Sequence, residues 1–165
     1  MNENKPEYVS HIFSIFVDET KTVEQLMKEG GIVLEDDKII PTYFFKSAKN
    51  CGRLKKELAI FHFNKIMTER MVIDEMNKVD YRPASVFDIL NLAINELGIL
   101  KEFPIVAFGS IGERGGDYPV TCLYEIMGQR ELKICLVLCS WGIQNRFVGV
   151  RKQPKPVNSK KSRKE

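Results

Sequence analysis

Long apolar runs are missing from this chain. No stretch approaches the roughly 18 apolar residues of a membrane-spanning helix, so no membrane partner is expected. The opening residues, MNENKPEYVSHIFSIFVDET, do not read as a secretory signal. Glu3 balances Lys5, the apolar stretch is broken by Ser10, His11 and Ser14, and no small-x-small cleavage site follows. The expected location is therefore the cytoplasm. Paired-cysteine spacing is also missing. Cys51, Cys122, Cys135 and Cys139 form no CxxC and have no histidine nearby in sequence, so a zinc site is not expected. They read as buried, reduced thiols, and no cofactor is expected.

Reactive signatures are scarce as well. The only histidines, His11 and His62, lie in apolar strand-like segments and read as partly buried structural residues. No serine occupies a GxSxG elbow. The Glu35, Asp36 and Asp37 cluster lacks calcium-loop spacing. The glycine-rich run GSIGERGG is followed by a strand pattern rather than a helix, so it lacks the context of a dinucleotide fingerprint. It reads as a loop with Arg114 at its tip.

What the chain does hold is enough apolar material for one domain. It has 165 residues, 44% of them hydrophobic, within the usual range for a single globular unit. Its charge is divided. Residues 151–165 contain seven bases and one acid, a net of +6. Residues 1–150 keep 18 of the 25 bases and 21 of the 22 acids, a net of −3. A nucleic-acid-binding domain normally carries its positive charge on the fold itself. The basicity here belongs to a tail, expected to be disordered because Pro154 and Pro156 oppose helix.

The periodicities predict alternating elements. Residues 10–17 read as a strand. Thr22 caps a helix over 23–29 that stops at Gly30 and Gly31. Another strand is expected around Ile39–Phe45, a loop over 46–56 and a strand over Leu58–Phe63. Thr68 caps a helix that is broken at Asp80-Tyr81-Arg82-Pro83. A second helix runs from Ser85 to Leu97, with Ser85 and Asp88 as a capping-box variant and Gly98 as its left-handed stop. Its expected exposed face carries Asp88, Asn91, Asn95 and Glu96. That acidity argues against a DNA recognition helix.

The last third predicts strands at Phe103–Ser110, Tyr118–Met127, Arg130–Cys139 and Asn145–Arg151. A turn at Gly128-Gln129 places Cys122 directly opposite Cys135, close enough in principle for a disulfide. Residues 132–139 are apolar on both faces and read as a central strand.

Residues 67–152 also resemble a recurrent module of small uncharacterised bacterial proteins. The shared elements are a helix, the connector Arg82-Pro83-Ala84, a second helix, FPIVAFGS (103–110), Trp141, and RFVGVRK (146–152). The resemblance implies a fold module with no established activity. Ser85 stands where that module has Thr. A terminal RF-x-VR strand after Trp141-Gly142 is also similar to the end of C-type-lectin-like ligand-binding domains, although the second helix and paired cysteines of those domains are missing here.

The fold expected is α+β. An antiparallel meander over 103–151 carries a helix pair (68–97) on one face, and N-terminal strands extend or cover the sheet. Residues 1–150 form one domain, made of an N-terminal part (1–66) and the module-like part (67–150). The function expected is a non-enzymatic interaction module with a protein partner. The alternatives are nonspecific nucleic-acid association through the tail, a small lectin-like ligand-binding domain, and a hydrolase or transferase. Candidate binding residues are Arg114, Trp141, Arg146, Arg151, Lys152, Lys160, Lys161, Arg163 and Lys164. The oligomeric state is left open.

Overall fold

The computed structural model describes residues 5–36, 52–109, 120–135 and 140–153. Eight strands and four helices follow one another as β1 (Val9–Asp18), α1 (Val23–Gly30), β2 (Ile32–Leu34), β3 (Arg53–Phe61), α2 (Glu69–Lys78), β4 (Tyr81–Pro83), α3 (Val86–Asn95), α4 (Ile99–Glu102), β5 (Ile105–Ala107), β6 (Val120–Ile126), β7 (Gln129–Cys135) and β8 (Arg146–Arg151). The local signals set the helix starts. Thr22 and Gln25 form a reciprocal capping box on α1, and Gly31, at φ 63°, closes it. Thr68 accepts the Met71 N–H at 3.2 Å. Ser85 and Asp88 complete a second capping box on α3.

All eight strands join one sheet in the order β1-β3-β8-β5-β6-β7-β2, with β4 pairing β8 beside this path. The sheet is mixed: β5–β8 and β2–β7 are parallel, and the other pairs are antiparallel. A pure antiparallel meander is therefore not what forms. After β7 the chain does not add β8 outside the hairpin. It returns past β5 and inserts β8 between β5 and β3, which forces the parallel pairing. This insertion welds the N-terminal strands to the last third.

It also moves the centre of the sheet. The strand apolar on both faces and covered on both is β8, where Phe147, Val148 and Val150 are all buried. The 132–139 segment is not central: β7 lies next to the edge strand β2, and residues 136–139 lie outside the described residues.

Two hydrophobic cores flank the sheet. On the first face, α1, α3 and α4 pack Leu26, Leu90, Leu92 and Leu100 on Leu58, Ile60, Ile105, Val148 and Val150. On the second, Val72 and Met76 of α2 pack on Phe61, Val106 and Phe147. Each such side chain contributes about 1.5–3 kcal/mol on full burial. Helices α2 and α3 thus lie on opposite faces, not together on one. The segment between them, read as a mere breaker, is β4. It hydrogen-bonds along β8 and carries the chain from one layer to the other. Gly149 permits the close approach there: a Cβ on it would lie 2.8 Å from Phe61 Cε2.

Smaller differences have local causes. Strand β3 starts at Arg53, inside the expected loop, because β1 supplies it with antiparallel partners down to Asp18. Strand β5 is only three residues long. Helix α3 stops at Asn95, and Gly98 has φ −90°, not a left-handed value. Leu97, the expected last residue of that helix, lies beyond it and is 68% exposed.

The hairpin turns at Met127-Gly128, not Gly128-Gln129. Both residues have positive φ, 51° and 78°, the type I′ turn whose twist matches the strands. Cys122 then faces Lys133, and Cys135 faces Val120. The two thiols become diagonal neighbours, and both are reduced. Arg130 fastens the hairpin to the helices by donating to the carbonyls of Gly30, Ala93 and Leu97, where a cation suits the helix C-termini. The strand expected at Ile39–Phe45 lies outside the described residues. No helix among the described residues is long and apolar enough to cross a membrane.

Candidate functional site

The second face is built from aromatic rings. Phe108 stacks on Phe147 with centroids 5.4 Å apart, and Trp141 meets them edge-on at 5.7 and 6.4 Å. Such contacts add about 0.5–1.5 kcal/mol to area burial. Trp141 is also held by its backbone. Its N–H donates to the Met67 carbonyl at 2.8 Å, and its carbonyl accepts from Met67 at 3.1 Å. The indole Nε1 is buried without a hydrogen-bond partner among the described residues.

Beside Trp141 opens a cleft of about 610 Å³, where the α4–β5 connection meets the β6–β7 hairpin. Leu100, Phe103 and Pro104 form one wall. Cys122 and Tyr124 from β6, with Lys133 and Cys135 from β7, form the other. Trp141 and Asn145 close the end. Period two explains the second wall: Cys122 and Tyr124 alternate with Leu123, which points into the other core.

Charged Lys101, Glu102, Glu125 and Lys133 also line this cleft, but its Cys122 thiol and Tyr124 phenol are held neutral. Burial pushes the Cys122 thiol up to about 12; nearby Cys135 adds to this and Lys133 opposes it. Burial also raises the Tyr124 phenol, reinforced by Glu131, to which the hydroxyl donates at 2.8 Å. Arg146 lays its guanidinium 4.8 Å from the centroid of the Phe103 ring. Desolvation lowers its pKa, and its Nε is buried without a partner among the described residues.

Trp141 thus lines the cleft, and Arg146, outside the lining itself, covers the Phe103 ring of the cleft wall. Arg151 and Lys152 do neither. Arg151 lies five residues further along β8, about 17 Å away at the usual rise, and pairs with Glu57 at 3.3 Å. Lys152 donates to Asn77 at 2.9 Å. Arg114, Lys160, Lys161, Arg163 and Lys164 lie outside the described residues, as does the tail beyond 153.

The histidines divide: His11 differs from expectation, and His62 is partly buried as expected. His11 is exposed on β1, its ring 5.8 Å from that of Phe103. His62 is half-buried and lies 2.9 Å from the Ile143 carbonyl. Neither lines the Trp141 cleft. Among the described residues, no three His, Cys, Asp or Glu side chains are placed to hold a metal ion.

The sequence reading missed a buried ionic cluster. Lys56 Nζ lies 2.9 Å from Asp88 and 2.6 Å from Glu19. Asp88 is fully buried and Asn91 is 5% exposed, so the expected polar face of α3 turns inward. Burial works against the charge of Lys56, but Asp88 and Glu19 outweigh it and hold the ammonium above its ordinary pKa. Asp88 also accepts the Ser85 N–H at 2.9 Å, which satisfies both of its oxygens. A signal was present: Lys56 shares its strand face with the apolar Leu58 and Ile60.

A second cleft of about 370 Å³ adjoins this cluster, with Lys55, Arg82 and Arg151 on its rim. Its cations are already matched in part by Glu19, Asp88 and Glu57. No family model, curated protein or solved structure matches the chain.

Proposed function

We propose that the protein is a non-enzymatic binding module of the cytoplasm whose ligand seats in the Trp141 cleft. The observation that carries this reading is the composition of that cleft. It joins an apolar wall and a large aromatic surface to a few polar groups, the usual make-up of a ligand site. Its one strongly buried thiol stays protonated far above neutral pH, which suits contact rather than nucleophilic attack. The ligand class favoured is a small, flat, uncharged group, or an apolar side chain of a protein partner.

Trp141 is the single tryptophan, so its emission reports on the cleft directly. Titration with flat, uncharged aromatic fragments should change that emission saturably. Cys135→Phe, which fills the cleft wall, should weaken the response at least about tenfold. Fragments that bind without sensitivity to Cys135→Phe, or none that saturate, would reject the reading.

A further inference from the structure

Among the described residues, one edge of the sheet is open in a way that matches itself. Strand β1 ends the strand order. From Tyr8 to Val17 it holds no Lys, Arg, Asp, Glu or Pro, the residues with which edge strands normally resist pairing. Its odd positions bond inward: the register continues at Glu19, whose N–H donates to Gly52 at 3.1 Å. Its even positions therefore direct their backbone groups outward.

At Asp18 these outward groups are taken by a side chain. The Asn91 carboxamide accepts the Asp18 N–H at 3.1 Å and donates to its carbonyl at 3.4 Å. At the other end, a bulge between Val9 and His11 interrupts the register. Between these two stops the outward groups of Ile12, Ser14 and Phe16 have no partner strand among the described residues. The side chains of Ile12 and Phe16 are each 49% exposed. The open window is centred on Ser14.

We propose that β1 pairs antiparallel with β1 of a second copy of this chain, about a two-fold axis through Ser14. A two-fold that joins two antiparallel edges stands perpendicular to the sheet and keeps each face on its own side. Opposed residues must then share parity. Centring on Ser14 sets Ser14 against Ser14 and Ile12 against Phe16 of the other copy. These are narrow pairs, so the three of them exchange about six backbone hydrogen bonds. The exposed Ile12 and Phe16 cover one another, and Phe13 meets Ile15 on the opposite face. The ends are complementary in charge. Lys5, which donates to the Ser10 carbonyl at 3.1 Å, comes to the end of the strand where the second copy carries Asp18. The result is one continuous sheet of two copies, with the Trp141 cleft of each left open.

Sedimentation equilibrium of the full chain tests this. The wild type should show a concentration-dependent monomer–dimer equilibrium. Ser14→Pro removes an outward N–H and leaves the β3 ladder intact; Ile12→Lys puts a charge on the covered face. Each should weaken dimerisation at least about tenfold while keeping the native circular dichroism spectrum. If Ser14→Pro unfolds, Ile12→Lys carries the test. In Ser14→Cys the introduced thiols meet across the axis, where narrow-pair Cα atoms are about 5.5 Å apart and can be bridged. Mild oxidation should link that variant into dimers faster than the wild type, whose native thiols provide the control. A wild type that stays monomeric up to hundreds of micromolar overturns the proposal. So does a dimer unaffected by both variants, or cross-linking of Ser14→Cys no faster than wild type.

Discussion

The two faces of the sheet solve the same problem with different material. The first face is mainly aliphatic, with Leu, Ile and Val from the strands meeting Leu, Ile and Val from α1, α3 and α4. The second has one long helix, α2, and fills the rest with rings: Tyr8, Phe61, Phe63, Phe108, Trp141 and Phe147. An aromatic side chain buries about 150–250 Å², so a few of them and one helix cover what aliphatic residues and three helices cover opposite. The comparison teaches where a ligand site can arise. Helices seal the first face over most of its width. Rings cover the second only where they reach, and the Trp141 cleft begins where they stop.

The first way to break this contrast is to attack the charged group buried under the helical face. Asp88→Ala should cost about 3–5 kcal/mol, because it leaves Lys56 buried with Glu19 alone and removes one half of the α3 capping box. Urea denaturation measures it. A loss below 1 kcal/mol would mean that Lys56 escapes to water, and that the helical face is less sealed than described.

The second acts where α2 and the ring of Phe61 share the other face. Gly149→Ala drives a Cβ to within 2.8 Å of Phe61 Cε2 and 3.4 Å of Met76 Sδ. A loss of about 1–3 kcal/mol is expected from overpacking. The double variant with Phe61→Leu should recover part of it, which a thermal melt would show.

The third separates the faces by pH. Burial, then Glu57, pushes the Tyr81 phenol up to about 12, as burial does the Cys122 thiol. Both groups belong to the second face. Their folded-state pKa values lie above the ordinary 9.0 and 10.0. Above those values the folded state binds more protons than the unfolded, so stability falls as pH rises. The fall should begin near pH 9 at about 1.4 kcal/mol per pH unit. In Cys122→Ala it should start about one unit later, at the onset of Tyr81. An unchanged onset would show that Cys122 is not sealed by the cleft wall.

The smallest effect compares the caps. Thr68→Ala on α2 and Ser85→Ala on α3 should each lose about 1 kcal/mol. Ser85→Ala should lose the more of the two, because only Ser85 has a reciprocating partner, Asp88, tied into the ionic cluster.

Those caps are also what the sequence made most legible. Thr22, Thr68 and Ser85 act within four residues of themselves, so their chemistry can be read without knowing the fold. The strands over 10–17 and 145–151 were equally readable from composition and alternation. The hairpin register was not. It depends on Met127 adopting a left-handed conformation, which its residue type does not favour, and which its full exposure to solvent leaves free of any packing cost. The burial of Asp88 was hidden for another reason: its partner Lys56 is 32 residues away, in a segment that reads as the end of a loop. Of the candidate site, Trp141 and Arg146 were named from sequence. The Phe103 ring beneath Arg146, and the wall of Cys122, Tyr124 and Cys135, emerged only in three dimensions.

By itself, then, the sequence determined where α1, α2 and α3 begin, several of the strands, and that the chain combines α and β elements. These follow from hydrogen bonds and apolar periods that span a few residues. Tertiary structure alone decided that β8 enters between β3 and β5, that α2 and α3 part to opposite faces, and that a nominally polar helix face turns inward. Each of these depends on partners far apart in the chain. The amphipathic stripe of a helix says that one side must be covered, but not which side of which sheet covers it.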